Sequence, residues 1–177
     1  LKLVTDLVDS SGVVRIDRER AAVRLPMSDL PPGGLNISTA YAPQDQERLM
    51  HLHRLPAAHA FARANRFDRV TLASPRPRIG VVTTGKSWRD VNQALADLGL
   101  SPEQAGELGL TVYKVGMTWP LEREGLAAFA RGLEELIVVE EKRPLIEDQV
   151  KAALYDLPAA ERPRVIGKRD AENAQLL

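Results

Sequence analysis

Arg78-Ile-Gly-Val-Val-Thr-Thr-Gly85, Tyr113-Lys-Val-Gly-Met-Thr-Trp-Pro-Leu-Glu122 and Glu135-Leu-Ile-Val-Val-Glu-Glu-Lys-Arg-Pro-Leu-Ile-Glu147 decide the fold. Each is an apolar strand run that gives way to a helix-period run. Read together, Arg78 to Gly167 alternate as strand, helix, strand, helix, strand, helix, strand, closing on Pro163-Arg-Val-Ile-Gly167. That alternation predicts a mostly parallel sheet with helices on both faces, an α/β three-layer sandwich. Parallel sheets hold ligands and partners at the carboxyl ends of their strands, so function is to be sought at the three strand–helix junctions.

The helices between these strands are marked by their apolar stripes. Trp88, Val91, Leu95 and Leu98 form the first, with Ser87 placed to cap it and Asp90 three residues on. Leu126, Phe129, Ala130 and Leu133 face inward from a second helix over about Arg123 to Gly132. Ile146, Val150, Ala153, Leu154 and Leu157 form the third stripe, with Pro144 in the first turn. Upstream, Ala73-Ser-Pro-Arg-Pro77 reads as a linker. Residues 43–77 read as a helical segment plus that linker, with Leu49, Leu52, Leu55, Ala60, Phe61 and Ala64 at helical spacing. Pro56 is expected to break or kink the helix, because it lacks an N–H and clashes with the preceding turn. Residues 1–42 read as an extension: a hairpin from Val13–Asp17 and Ala22–Leu25, then the loop Leu30-Pro-Pro-Gly-Gly-Leu35. It either lies across a neighbouring domain or subunit, or is an interdomain linker. The sheet domain is expected over 78–177.

Composition excludes several function classes. The 24 basic and 24 acidic residues cancel, leaving no electrostatic footprint for nucleic acid or an anionic membrane. No apolar run approaches the roughly 20 residues of a membrane span. The chain has no cysteine, so it supplies no disulfide, thiolate nucleophile or iron–sulfur ligand; this is compatible with the cytosol. The opening Leu1-Lys-Leu-Val-Thr5 carries neither an initiator methionine nor a secretory apolar run, and reads as the interior of a longer protein.

Gly80-Val-Val-Thr-Thr-Gly-Lys-Ser87 matches the P-loop pattern GxxxxGK[S/T]. A working P-loop follows a complete strand, and its middle residues wrap the phosphates with backbone N–H groups. Here Pro75-Arg-Pro-Arg-Ile79 cannot make a central strand. The strand must use Ile79, Val81 and Val82, which leaves Thr83–Ser87 too short to encircle a triphosphate. Leu136 to Glu140, an apolar run ending in an acid, keeps a P-loop-type NTPase as the rival enzyme reading. The remaining turn, Thr84, Gly85, Lys86 and Ser87, offers N–H groups at a helix start to a small anion or carboxylate. The plainer reading is that Gly85 makes the turn and Ser87 only caps the helix.

Glu140, Glu141, Lys142 and Arg143 follow the third strand. Alternation sends the two glutamates to opposite sides, one toward Lys86 or Arg143 and the other toward a partner. Adjacent carboxylates do not converge on one reacting atom, so an interface or structural role fits better than catalysis. Met117 and Trp119, beside Pro120, suit an interface anchor; a buried Trp packing the strand end is the alternative. His51, His53 and His59 lack the i, i+4 spacing of a helical metal pair, and no metal site or catalytic residue is expected.

The segments Gly80–Val91, Tyr113–Glu122 and Val138–Gln149 resemble indolepyruvate ferredoxin oxidoreductase, in its α-subunit or long fused bacterial form. Val165-Ile-Gly-Lys-Arg-Asp170 and Leu30-Pro-Pro-Gly-Gly-Leu-Asn36 fit the same 2-oxoacid:ferredoxin oxidoreductase family. The resemblance implies a transketolase C-terminal-like domain that lies between thiamine-diphosphate-binding domains. It implies a parent enzyme that decarboxylates an aryl 2-oxoacid with thiamine diphosphate, Mg2+, 4Fe–4S clusters and CoA, and passes electrons to ferredoxin. The hard chemistry would belong to those cofactors. This chain lacks the family's Gly-Asp-Gly…Asn-Asn segment, and the activating glutamate has no counterpart placed in it. The resemblance therefore implies an accessory domain that binds no cofactor, inactive by itself. It would brace other domains of the same polypeptide and supply interface in a homo-oligomer or an α/β subunit assembly in the cytoplasm. Thr84–Ser87 would be an anion or CoA-related contact. A stand-alone interaction module is the non-enzyme alternative.

Overall fold

The protein is seen in a computed structural model that describes residues 13–19, 22–27, 30–170, 172 and 174–175. Strand β2 (Ile79–Thr84) is the centre of a five-stranded sheet. It pairs in parallel with β3 (Leu110–Val115) on one side and β4 (Glu135–Val139) on the other. Strand β5 (Arg164–Ile166) extends the sheet in parallel beyond β4, while β1 (Arg69–Leu72) runs antiparallel along β3. The spatial order is β1-β3-β2-β4-β5.

Period-two alternation along the strands sorts side chains into two cores. Val82, Tyr113, Leu136 and Val138 face helices α5 (Arg123–Ala130) and α6 (Leu145–Leu154), which contribute Leu126, Ala130, Ile146, Val150 and Leu154. Val81, Val112, Ile137 and Val139 face α3 (Gly85–Asp97) and α4 (Pro102–Glu107), through Trp88, Val91, Leu95 and Ala105. The expected three-layer α/β architecture is therefore formed. The second and third helical stripes pack as expected, since Phe129, Leu133, Ala153 and Leu157 all join the first core. The first stripe is one residue too long. Leu98, the C-terminal cap of α3, is 73% exposed because the helix ends before that turn can face the sheet.

Four further differences have local causes. The sheet begins before the linker Ala73–Pro77, because β1 precedes it and pairs with β3. The second strand starts three residues earlier than expected and stops at Val115. It stops there because Asp68 Oδ1 accepts the N–H groups of Gly116 and Met117 at 2.7 and 3.0 Å. Val13–Asp17 and Ala22–Leu25 form no strand, so the expected hairpin is absent among the described residues; the first twelve residues of the extension lie outside them. Pro56 does not break the helix. Helix α1 (Pro43–Leu49) passes through a π turn (Met50–Arg54) into α2 (Leu55–Ala64). The wider turn just before the proline takes up the missing N–H. Arg54, at its end, donates to the carbonyls of Leu35 and Asn36 at 2.8 and 2.7 Å, fixing the incoming arm.

Gly80 is a packing glycine. A Cβ there would meet Leu133 Cδ1 at 2.5 Å and Leu136 Cδ1 at 2.8 Å, both core side chains. Gly80→Ala is expected to destabilise the domain by about 1–3 kcal/mol through overpacking. Urea denaturation that found the variant as stable as the wild type would show that the core around β2 is not closed.

Candidate functional site

The carboxyl ends of β2, β3 and β4 lie side by side because the three strands are parallel and in register. At the β2–α3 junction the chain turns sharply through Gly85, whose φ of +52° suits glycine, with open space where a Cβ would stand. Thr84, not Ser87, occupies the N-cap position, and its hydroxyl donates to the Val115 carbonyl at 2.9 Å instead of capping the helix. Ser87 is buried within the first turn. The expected cap was misplaced because the helix starts directly at the end of the strand, with no intervening loop. Lys86 Nζ lies 3.0 Å from Asp90 and 3.8 Å from Glu141. Asp90 first, and Glu141 after it, hold the Lys86 ammonium above its usual range.

The P-loop reading fails on this geometry. Gly80 to Thr84 are strand residues, and the segment is hydrogen-bonded to β3 on one side and β4 on the other. Their N–H groups belong to the sheet and cannot form a phosphate cradle.

At the β4–α6 junction the two glutamates separate as alternation requires, but neither is free. Glu140 reaches forward to accept the N–H groups of Ile146 and Glu147 at 2.8 and 2.9 Å, satisfying the exposed donors at the start of α6. Glu141 turns toward Lys86. Lys142 adopts φ +58° in the turn. The two junctions thus meet: Thr84–Ser87 form one wall of an open cleft of about 470 Å³, and Glu140–Arg143 with Leu145 and Ile146 form the other.

Glu147, which sequence reasoning passed over, anchors this edge from below. It is 4% exposed and accepts from the Lys168 backbone N–H at 2.8 Å and from the Lys151 ammonium. Gly167 lets β5 approach it, since a Cβ there would fall 2.2 Å from the carboxylate. Burial alone would push Glu147 up. The Lys151 ammonium and the Lys168 N–H and charge outweigh that and hold it below the ordinary carboxylate range. The sequence signal was an acid in the first turn of a helix with lysine four residues on.

The β3–α5 junction forms a second cleft. Trp119 is 69% exposed, Met117 is half-buried, and the Trp119–Pro120 peptide is cis. Glu122, 2% exposed, caps α5 by accepting from Glu124 and Gly125 N–H at 3.0 and 2.7 Å, and pairs with Arg63 at 2.7 Å. Gln149 of α6 holds the loop by accepting from Leu121 N–H and donating to the Thr118 carbonyl. His59 meets the Pro120 carbonyl at 3.3 Å, and with His51, Leu55, Trp119 and Leu121 it lines about 660 Å³. Burial, followed by the negative charges of Asp68 and Glu122, pushes the Tyr113 hydroxyl up. Burial also pushes Asp68 up, against the pull of its two N–H donors. Among the described residues no group of three His, Asp or Glu side chains is placed to hold a metal.

The family model and the curated relatives agree. The family model described as "Indolepyruvate oxidoreductase domain" matches residues 69–177, which begins at β1. The indolepyruvate oxidoreductase subunit IorA of Thermococcus kodakarensis is 34% identical over 79 residues, covering 45% of this chain and 11% of that protein. Its counterpart in Methanothermobacter thermautotrophicus is 31% identical over 108 residues, covering 59% of this chain and 16% of that protein. The chain therefore corresponds to a small part of these relatives. Among solved structures, a 2-oxoglutarate:ferredoxin oxidoreductase from Magnetococcus marinus superposes with a TM-score of 0.45 at 18% identity, over 72% of this chain and 20% of that one.

Two measurements check the electrostatics of this edge. Glu140→Ala should cost about 1–2 kcal/mol through loss of the α6 cap, while Glu141→Ala, on the surface, should stay within about 0.5 kcal/mol. Equal effects in chemical denaturation would contradict the division of labour described. A carboxylate with a depressed folded-state pKa stabilises above its unfolded value of about 4.3 and loses that contribution as pH falls through the folded value. The stability gap between wild type and Glu147→Gln should therefore be constant near neutrality and shrink on acidification below about pH 4.3. A gap independent of pH would remove the charge argument.

Proposed function

The chain belongs to the indolepyruvate oxidoreductase family, and we propose that it serves as an accessory α/β domain of a thiamine-diphosphate-dependent indolepyruvate:ferredoxin oxidoreductase. In this reading it braces the cofactor-binding domains and supplies subunit interface within a cytoplasmic enzyme. The carrying observation is the pattern of what is used and what is left bare. The acids at the carboxyl edge are committed to helix starts and lysines. Meanwhile Val13, Ile16, Leu25 and Met27 of the arm are at least 84% exposed, as is much of Trp119. Apolar surface of this kind costs free energy in water and is recovered when a neighbour covers it.

The donor chemistry of the chain does not fit the parent's redox groups. It has no cysteine for a 4Fe–4S cluster. The described residues bring together no carboxylate set for the Mg2+ of thiamine diphosphate. Those groups, CoA and ferredoxin would be handled by other parts of the parent, with Met117, Trp119, Glu141, Lys142 and Arg143 facing neighbouring domains. Glu140, an interface candidate by sequence, has its carboxylate turned back on α6. No helix among the described residues is long and apolar enough to cross a membrane.

The test is made on the intact parent protein. It should oxidise indolepyruvate with reduction of ferredoxin, and Trp119→Ala should loosen its assembly in sedimentation velocity without raising the KM for the oxoacid. A parent that oxidises no 2-oxoacid would overturn the assignment; unaltered assembly in the variant would overturn the interface role. Calorimetric titration with Mg-ATP should give no micromolar binding, since the sheet occupies the N–H groups a P-loop needs.

A further inference from the structure

Several exposed cations on this domain are paired: Arg78 with Glu134, Lys86 with Asp90, Arg164 with Glu135. One group without such partners is crowded together. Arg69 of β1 and Lys114 of β3 sit directly opposite each other in the antiparallel ladder, an arrangement of like charges that costs stability. Arg89 of α3 adds a third positive charge. Burial first, then Arg69 and Arg89, pull the Lys114 ammonium below its usual range. Among the described residues, no carboxylate is in ion-pair contact with any of the three.

Lys114 is also held in place. Its Nζ rests 3.9 Å from the centroid of the Trp88 ring, and Trp88 is itself fixed by its Nε1 donating to Thr71 Oγ1 at 3.0 Å. A cation held over an aromatic ring has lost little further freedom to lose on binding. Lys114 is the next-to-last residue of β3, so the cluster stands at the carboxyl edge, where parallel sheets receive ligands.

We propose that Arg69, Lys114 and Arg89 form a binding site for a multiply charged phosphate-type oxyanion. Guanidinium forks match the geometry of phosphate oxygens, and the ammonium adds a point charge. A small anion fits better than an added acidic strand, because β1 has only four residues and a register irregularity between Val70 and Leu72. Short, irregular edges resist strand addition. The inference stands apart from the proposed function, since it rests on charges in this chain alone.

The test uses the full chain carrying Trp119→Phe, which leaves Trp88 as the single tryptophan of the two. Titration with inorganic pyrophosphate should change Trp88 emission saturably, and added salt should weaken the response. Arg69→Gln, which leaves the Lys114–Trp88 contact intact, should weaken binding about tenfold, and Lys114→Met at least as much. Lys114→Met should melt no lower than its parent, because a like-charge pair is removed, so lost binding will not reflect unfolding. The proposal falls if there is no saturable response, or if Arg69→Gln binds as tightly as its parent. It also falls if hexaglutamate saturates where pyrophosphate does not, which would assign the surface to an acidic protein segment.

Discussion

Strand β2 is hydrogen-bonded along both edges and buried on both faces, with Val82 fully enclosed on one side and Val81 nearly so on the other. A strand in that position has no freedom to slip. A one-residue shift would exchange its two faces and break both ladders at once. Its register sets where β3 and β4 end, and hence brings the turns after Thr84, Val115 and Val139 to a common edge. Gly80 is part of the same constraint, because the core side chains of Leu133 and Leu136 occupy the space a larger residue would need.

At that edge one chemical device recurs. Asp68 takes the N–H groups that follow β3, Glu122 those that open α5, and Glu140 those that open α6. Each places negative charge against backbone donors that the sheet or helix leaves unsatisfied. Glu122 extends this to Arg63, so the helical segment before the sheet is bound to the α5 start by an ion pair whose carboxylate is buried. Carboxylates used this way hold turns in position. They are poorly suited to shuttle protons.

Much of this was legible in the chain. The strand runs around Val81, Val112 and Ile137 and the stripes at Leu126 and Val150 carry the two periods plainly, because burial on one or both faces forces them. Thr84–Ser87 and Glu140–Arg143 were each recognisable as strand-end segments, though only the register of β2 against β4 shows that they face one cleft. What escaped was set by contacts distant in sequence. Strand β1 is four residues long and earns its place by pairing with β3 more than forty residues away. Asp68 ends β3 from across the same gap, and Glu147 is buried only because Gly167 allows β5 to approach it. Helix α4 is different, since Ser101 and Gln104 form a reciprocal cap that the local pattern announces.

The π turn at Met50–Arg54 amounts to one surplus residue wound into a helix. Winding the same residues as ordinary α-helix would leave that residue unabsorbed and swing α1, with the arm before it, by about 100° around the helix axis. The carbonyls of Leu35 and Asn36 would then leave the reach of Arg54. The path of the amino-terminal arm, and so whichever neighbour that arm is able to touch, is encoded in the count of residues in one turn more than in the identity of any of them.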